Sequence, residues 1–307
     1  MNRNPKNLGW IKDYPDFRDY SPQTKKVAKT VEAKGREETV AGLLKQVGVT
    51  APRTKGTKAF PKKVDLRQYC TPVKDQGNIG ACTAFAAVGM YEYYQKRAFG
   101  KYFDGSERFI YKATRNMLNW TGDTGAYIRS AMGALALFGV PPSNYFEYDE
   151  ASFDDEPPAF VYSYGQSFQA LTYYRLDPLG ASGATALANI KKQLRAGIPV
   201  MMGFTCYSSL FHQDVQASGE IPYPSANESV KGGHAVLITG YDDNNVIINP
   251  YNNKRSRGSL MIRNSWSENW GDGGYGAIPY SYVKEQLSSD FWCMLSAEWV
   301  NTEQFGG

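Results

Sequence analysis

Pro72-Val-Lys-Asp-Gln76-Gly-Asn-Ile-Gly-Ala-Cys82-Thr-Ala-Phe-Ala86 is the stretch that decides how this chain of 307 residues folds. Gly77 and Gly80 allow a tight loop to turn straight into a helix, predicted from Cys82 to about Arg97. Phe85, Val88, Tyr91 or Glu92, and Gln95 recur along it at turn spacing. A thiol at the first position of a helix meets the positive end of the dipole, which favours thiolate and predicts a lowered pKa. The amide N–H of Cys82 points out of the first turn and can donate to an oxyanion. Gln76, six residues earlier, can supply a second donor from its side chain. A cysteine opening an apolar helix is ordinarily packing; the glutamine, the two glycines and Pro72-Val-Lys set this one apart.

The segment resembles the active-site loop and helix of papain-like cysteine proteases, whose signature is Cys-Gly-(Ser/Ala)-Cys-(Trp/Tyr). Here it reads Ile79-Gly80-Ala81-Cys82-Thr83. Ile79 replaces a cysteine that relatives usually pair, and Thr83 replaces an aromatic; neither change removes a catalytic group. A Cys–His enzyme needs an imidazole, and the chain has two histidines. His212 lies in Ser209-Leu-Phe-His-Gln-Asp214, which reads as a loop. His234 lies in Gly232-Gly-His234-Ala-Val-Leu-Ile-Thr-Gly-Tyr241, where it opens an apolar strand after two glycines, at a downstream distance in keeping with the family. Arg263-Asn264-Ser265-Trp266, followed by Trp270, Gly271 and Gly274-Tyr275-Gly276, resembles the family's Asn-Ser-Trp-Gly region, with Ser267 in place of a glycine. The likeness implies that Cys82 is the nucleophile and His234 its base. Asn264 would orient the imidazole and Trp266 would cover that hydrogen bond. Thr121-Gly-Asp-Thr-Gly125-Ala-Tyr127 resembles the substrate loop, so Gly125 is expected to let substrate backbone pair with main chain, or else to be a turn glycine. Gly233 removes a side chain that would help select the residue at the second substrate position.

Further helices are predicted near 106–118, 126–138 and 184–196, and strands at 199–204, 235–241, 246–249 and 260–263. A helical front half is thus followed by a mostly β back half. The resemblance covers about 64–297, weakly over 140–185. It implies an α+β, papain-like two-subdomain fold, with a helical part at about 64–160, a β-rich, barrel-like part at about 161–297, and the cleft between. By the same likeness Cys293 stands where relatives often hold half of a disulfide. A bridge to Cys70 is conceivable, while Cys206 reads as packing.

Residues 1–60 form a separate leader and linker ahead of a catalytic domain at 61–307. Residues 1–24 read as extended with short turns, 25–48 as a helix and 49–63 as an exposed linker open to nicking. Residues 1–63 carry 15 Lys and Arg against 6 Asp and Glu, whereas the remainder is net negative. A basic leader on an acidic body is expected to dock onto its own cleft and block it; binding to nucleic acid is the less favoured alternative. Four scattered cysteines and two histidines match no zinc pattern, and no cofactor is expected. No run suits a membrane span and the start lacks the apolar core of a signal peptide, so a cytoplasmic monomer acting on peptide or protein substrates is expected. Two rival functions use the same fold: a catalytically silent binding protein, and an acyl transferase or amidase.

Overall fold

The computed structural model describes residues 8–22, 24 and 60–296. The helix expected at Cys82 is there: α1, Cys82–Phe99, is buried at every residue from Cys82 to Gln95. A helix wrapped on all sides must be apolar or small all round, and Ala84, Ala86, Ala87 and Gly89 supply that. Gly100, in the left-handed conformation at φ 68°, ends it. Helix α2, Glu107–Met117, starts where Ser106 accepts from the Phe109 amide, and α3 spans Ile128–Phe138. Short helices α4, Ala159–Gly165, and α5, Gly183–Arg195, follow, then α6, Gln213–Ser218, and α7, Tyr280–Lys284. His212 is not simply a loop residue; its imidazole caps α6 by accepting from the Asp214 amide at 3.3 Å.

The β-rich half is one antiparallel sheet of seven strands: β1 (Lys63–Asp65), β2 (Ala170–Arg175), β3 (Val200–Tyr207), β4 (Val230–Ile248), β5 (Arg255–Arg263), β6 (Tyr275–Pro279) and β7 (Ser288–Ser296). Their order is β2-β7-β3-β4-β5-β6, with β1 also on β4. The two strands expected at 235–241 and 246–249 are one long strand, β4. Its turn-forming middle, Asp242-Asp-Asn-Asn245, is taken up as an irregularity in the pairing with β5. β2 and β7 carried no clear strand signal.

Two cations tie the segments around α1: buried Arg263 links the two halves, and partly exposed Lys74 links elements of the helical half. Arg263, at the end of β5, donates to the Pro72 carbonyl at 2.6 Å and to Thr71 Oγ1 at 3.1 Å, passing where a Cβ on Gly89 would lie 2.2 Å from its Nη1. Lys74 bridges Glu92 of α1 at 2.9 Å and Glu107 of α2 at 2.6 Å, and burial pushes the Glu107 carboxyl up to about 7. All four cysteines are free and buried, so the Cys70–Cys293 bridge does not form. The helix expected at 25–48 and most of the linker fall outside the described residues. No described helix is long and apolar enough to cross a membrane.

Candidate active site

Cys82 stands at the first turn of α1, where the helical half meets β4. Ala81 provides no side-chain cap, so the amides of Cys82 and Thr83 turn toward the sulfur. The Ala235 amide from β4 donates to Cys82 Sγ at 3.4 Å. His234, the residue before Ala235, is fully buried, and its Nε2 lies 2.7 Å from Asn264 Oδ1. The same Oδ1 accepts from the Ser265 amide at 2.8 Å, which holds the carboxamide by its oxygen. With Oδ1 as acceptor at both contacts, the His234 proton sits on Nε2. Trp266 lies over the imidazole with ring centroids 4.7 Å apart at 31°, and Phe211 and Trp270 enclose the indole in turn. Three segments far apart in sequence therefore meet at one point.

Gln76 is fully buried. Its Oε1 accepts from Ser265 Oγ at 2.5 Å, and its Nε2 donates to the Ile79 carbonyl at 2.9 Å. The backbone repeats the tie, since the Gln76 amide donates to the Ser265 carbonyl at 2.9 Å. The loop before Cys82 is thereby fastened to the segment that carries Asn264. Ser265 is a positioning group that the sequence displayed inside a motif without revealing its partner.

Residues 9–11 pair by main chain with Ala126 on one side and with Gly233 of β4 on the other. The Ala126 amide donates to the Gly9 carbonyl at 2.8 Å, the Ile11 amide to the Ala126 carbonyl at 3.1 Å, and the Trp10 amide to the Gly233 carbonyl at 3.0 Å. The main-chain pairs beside Gly125 are made by Ala126. The Gly125 amide is turned to Tyr111 Oη at 3.0 Å, and Tyr111 with Gly80 shares Asp123 Oδ1. Gly125 contributes clearance: at φ +72°, a Cβ there would lie 2.2 Å from the Gly9 oxygen. Gly9 needs clearance too, since its own Cβ would stand 1.8 Å from the Gly80 oxygen.

Coverage changes the thiol. Cys82 is wholly buried, and burial pushes its pKa up to about 11 despite the amides of Ala235, Gly9, Thr83 and Cys82 itself. The lowered value expected from the helix dipole is therefore overturned in this form: desolvation of a thiolate outweighs the first-turn dipoles when water is excluded. The docking charges also differ from expectation. The described contacts place leader carboxylates on body arginines. Asp13 meets Arg129 at 3.2 Å, Asp19 meets Arg129 at 2.8 Å, and Arg175 receives Asp19 at 3.8 Å. Most of the basic residues of the leader lie elsewhere, at 25–59.

The papain family cysteine protease model matches residues 60–290. The chain belongs to the papain family of cysteine proteases. It is similar to an uncharacterized peptidase C1-like protein of Acanthamoeba polyphaga mimivirus, 30% identical over 94% of this chain and 86% of that protein. It is 28% identical to cathepsin K of Gallus gallus over 77% of this chain and 66% of the relative. Among solved structures it resembles xylellain, a cysteine protease from Xylella fastidiosa, with a TM-score of 0.69 and 28% identity over 97% and 98% of the two chains. Membership of the papain family makes it a cysteine-type peptidase, a hydrolase, with the α+β two-subdomain fold. Among the described residues no group of three or more His, Cys, Asp or Glu side chains could hold a metal.

Proposed function

We propose that this papain-family chain cleaves peptide bonds through Cys82, His234 and Asn264, and that its own residues 8–20 keep it inactive. The observation that carries the reading is the convergence of a helix-initial sulfur, 3.4 Å from the amide beside His234, with an imidazole whose other face is held by Asn264 at 2.7 Å. With Nε2 committed to Asn264, Nδ1 is the nitrogen that serves the sulfur. Cys82 gives its proton to His234, and the thiolate attacks the substrate carbonyl carbon. The oxyanion is stabilised by the Cys82 amide and by Gln76, whose carboxamide Ser265 and Ile79 hold in one orientation. As the C–N bond breaks, His234 protonates the departing amine and a thioester remains on Cys82. Water, deprotonated by His234, then attacks the thioester and releases the carboxylic acid and the thiol.

The blocking role is supported by the backbone pairs on both walls and by the complete burial of Cys82. A substrate needs the space that Gly9 and Trp10 hold. The test compares the full chain, Trp10→Ala, a chain starting at residue 61, and Cys82→Ala in each background. Peptide hydrolysis and intact mass after exposure to an epoxysuccinyl inhibitor are followed together. Trp10→Ala and the shortened chain should hydrolyse and take up one inhibitor far faster than the full chain, and Cys82→Ala should do neither. Equal rates in full and shortened chains remove the blocking role. Labelling without hydrolysis points to a binding protein, and amide exchange outpacing hydrolysis in the presence of an amine points to acyl transfer.

A further inference from the structure

Trp10 enters the body in a way that backbone blocking alone does not require. Its indole lies in a slot whose floor is Gly203 of β3 and whose wall is Gly233 of β4. A Cβ on Gly203 would stand 1.9 Å from Trp10 Cε2 and 2.3 Å from Nε1, and one on Gly233 would stand 2.7 Å from Cε3. Gly203 has an ordinary strand conformation, so no backbone requirement excludes a side chain there. The three atoms nearest to its missing Cβ all belong to the indole. The two glycines are thus a shape feature, and they admit a flat ring against the sheet.

The end of the slot is polar. Trp10 Nε1–H donates to Asp290 Oδ2 at 3.1 Å, and both groups are buried. Asp290 is aimed there by the backbone. It sits at φ +59° in β7, where pairing with β3 slips between Met201↔Trp292 and Gly203↔Ser289, so that Asp290 and Phe291 of β7 stand against the single residue Met202. A bulge of this kind redirects a side chain, and a left-handed non-glycine residue is kept only where its surroundings hold it. Behind the carboxylate, fully buried Arg175 meets Asp290 Oδ1 at 2.9 Å and Asp177 at 3.0 Å. The acceptor is therefore fixed and keeps its orientation whatever fills the slot.

We infer that Gly203, Gly233 and Asp290 form a selective pocket for an aromatic side chain carrying a ring N–H, tryptophan above all, in whichever polypeptide occupies the cleft, substrates included. The leader satisfies it with Trp10 while its backbone takes the Gly233 carbonyl and both polar groups of Ala126. A peptide using those same main-chain partners presents a side chain to the same slot. Asp290 Oδ2 also accepts from the Asp13 amide at 2.9 Å, so an apolar side chain of similar size would fill the space but leave that buried oxygen with one donor in place of two, which is the basis of selection. The inference extends the peptidase reading by naming a substrate class.

The test uses the full chain carrying Trp10→Ala, so that the slot is vacated, and reads iodoacetamide labelling of Cys82 by peptide mass. The probes are the nonapeptide copying residues 8–16, Leu-Gly-Trp-Ile-Lys-Asp-Tyr-Pro-Asp, and two versions with Phe or Leu in place of Trp. The Trp peptide should slow labelling at a concentration about tenfold below that of the Phe peptide, the usual worth of a hydrogen bond to a buried charge. In Trp10→Ala with Gly203→Val the three peptides should become indistinguishable. Gly203→Ala, whose lone methyl already intrudes on the indole, decides the matter if the valine variant melts early. Equal protection by all three peptides in the parent, or a Trp preference that survives both substitutions, overturns the pocket. The same Trp10→Ala chain is then given a mixed peptide library. Enrichment of Trp at one fixed distance from the cleaved bond supports the substrate claim, and cleavage without enrichment at any position refutes it. If nothing is cleaved while protection still follows Trp, the pocket stands and the peptidase reading falls.

Discussion

At the scale of single residues, the site separates groups that react from groups that hold. Asn264 touches no substrate in the proposed mechanism, and its work is to keep one imidazole orientation through the 2.7 Å contact. Asn264→Ala in an uncovered chain should lower kcat about a hundredfold, the cost of losing a near-attack geometry, with KM changed far less; steady-state kinetics check it. Gln76→Ala should cost roughly 10²- to 10³-fold in kcat, as for removal of one oxyanion donor, again with little effect on KM. The Cys82 thiol makes the pH prediction. Burial pushes the covered thiol up to about 11, while in solvent a thiol ionises near 8.5. Raising the pH through that window favours the uncovered state, because only there can the thiolate form readily; below it, the covered state keeps its full advantage. Carboxymethylation of Cys82 in the full chain should therefore climb steeply between about pH 9 and 11. In Trp10→Ala the rise should come at lower pH. A plateau already reached at pH 8 in the full chain would contradict the covered thiol.

At the scale of elements, residues 8–20, which end in a turn at 16–19, are fastened at three kinds of contact. Backbone pairs fix its register at Gly9 to Ile11, the indole fills the glycine slot, and Asp13 and Asp19 meet Arg129 and Arg175. The ionic contacts are only partly buried at Arg129, whose side chain is 25% exposed, so each is worth on the order of 1 kcal/mol. Arg129→Ala, which also loses the Tyr14 carbonyl, should speed inhibitor labelling of Cys82 roughly threefold to tenfold in the full chain. Added salt should act in the same direction but weakly, because the pairs face one another across a narrow gap. If Arg129→Ala left labelling unchanged, the indole and the backbone would carry the docking alone.

At the scale of the whole molecule, the two halves are locked by buried polar ties rather than by a disulfide. Arg263 links the end of β5 to the loop entering α1 through Thr71 and Pro72. Arg263→Met keeps much of the volume but leaves the Thr71 and Pro72 acceptors without their donor, and should cost about 3 kcal/mol. Denaturant unfolding followed by tryptophan fluorescence reads it. Activity of the surviving folded fraction should fall as well, since the next residue is Asn264.

Much of the site was legible because its chemistry lies in short segments. Gln76, Cys82, His234, Asn264 and Trp266 each stand in a stretch whose glycines and apolar neighbours restrict the backbone locally, and the structure brings them together. The long strand β4 was read as two because a run of Asp and Asn signals a turn locally, whereas pairing with β5 on one side keeps the chain extended. The division into a helical front half and a β-rich back half was determined by the sequence alone, through periodicity and local backbone preference, and the candidate site segments were marked by their resemblance to the papain family. The raised thiol, the ion pairs of Asp13 and Asp19 with Arg129, the main-chain pairing of Ala126 with residues 9 and 11 and the meeting of Trp10 with Asp290 were decided only in three dimensions. Each depends on desolvation or on contacts between residues as far apart as Trp10 and Asp290, and neither burial nor the aim of a bulged carboxylate is encoded within any one stretch of chain.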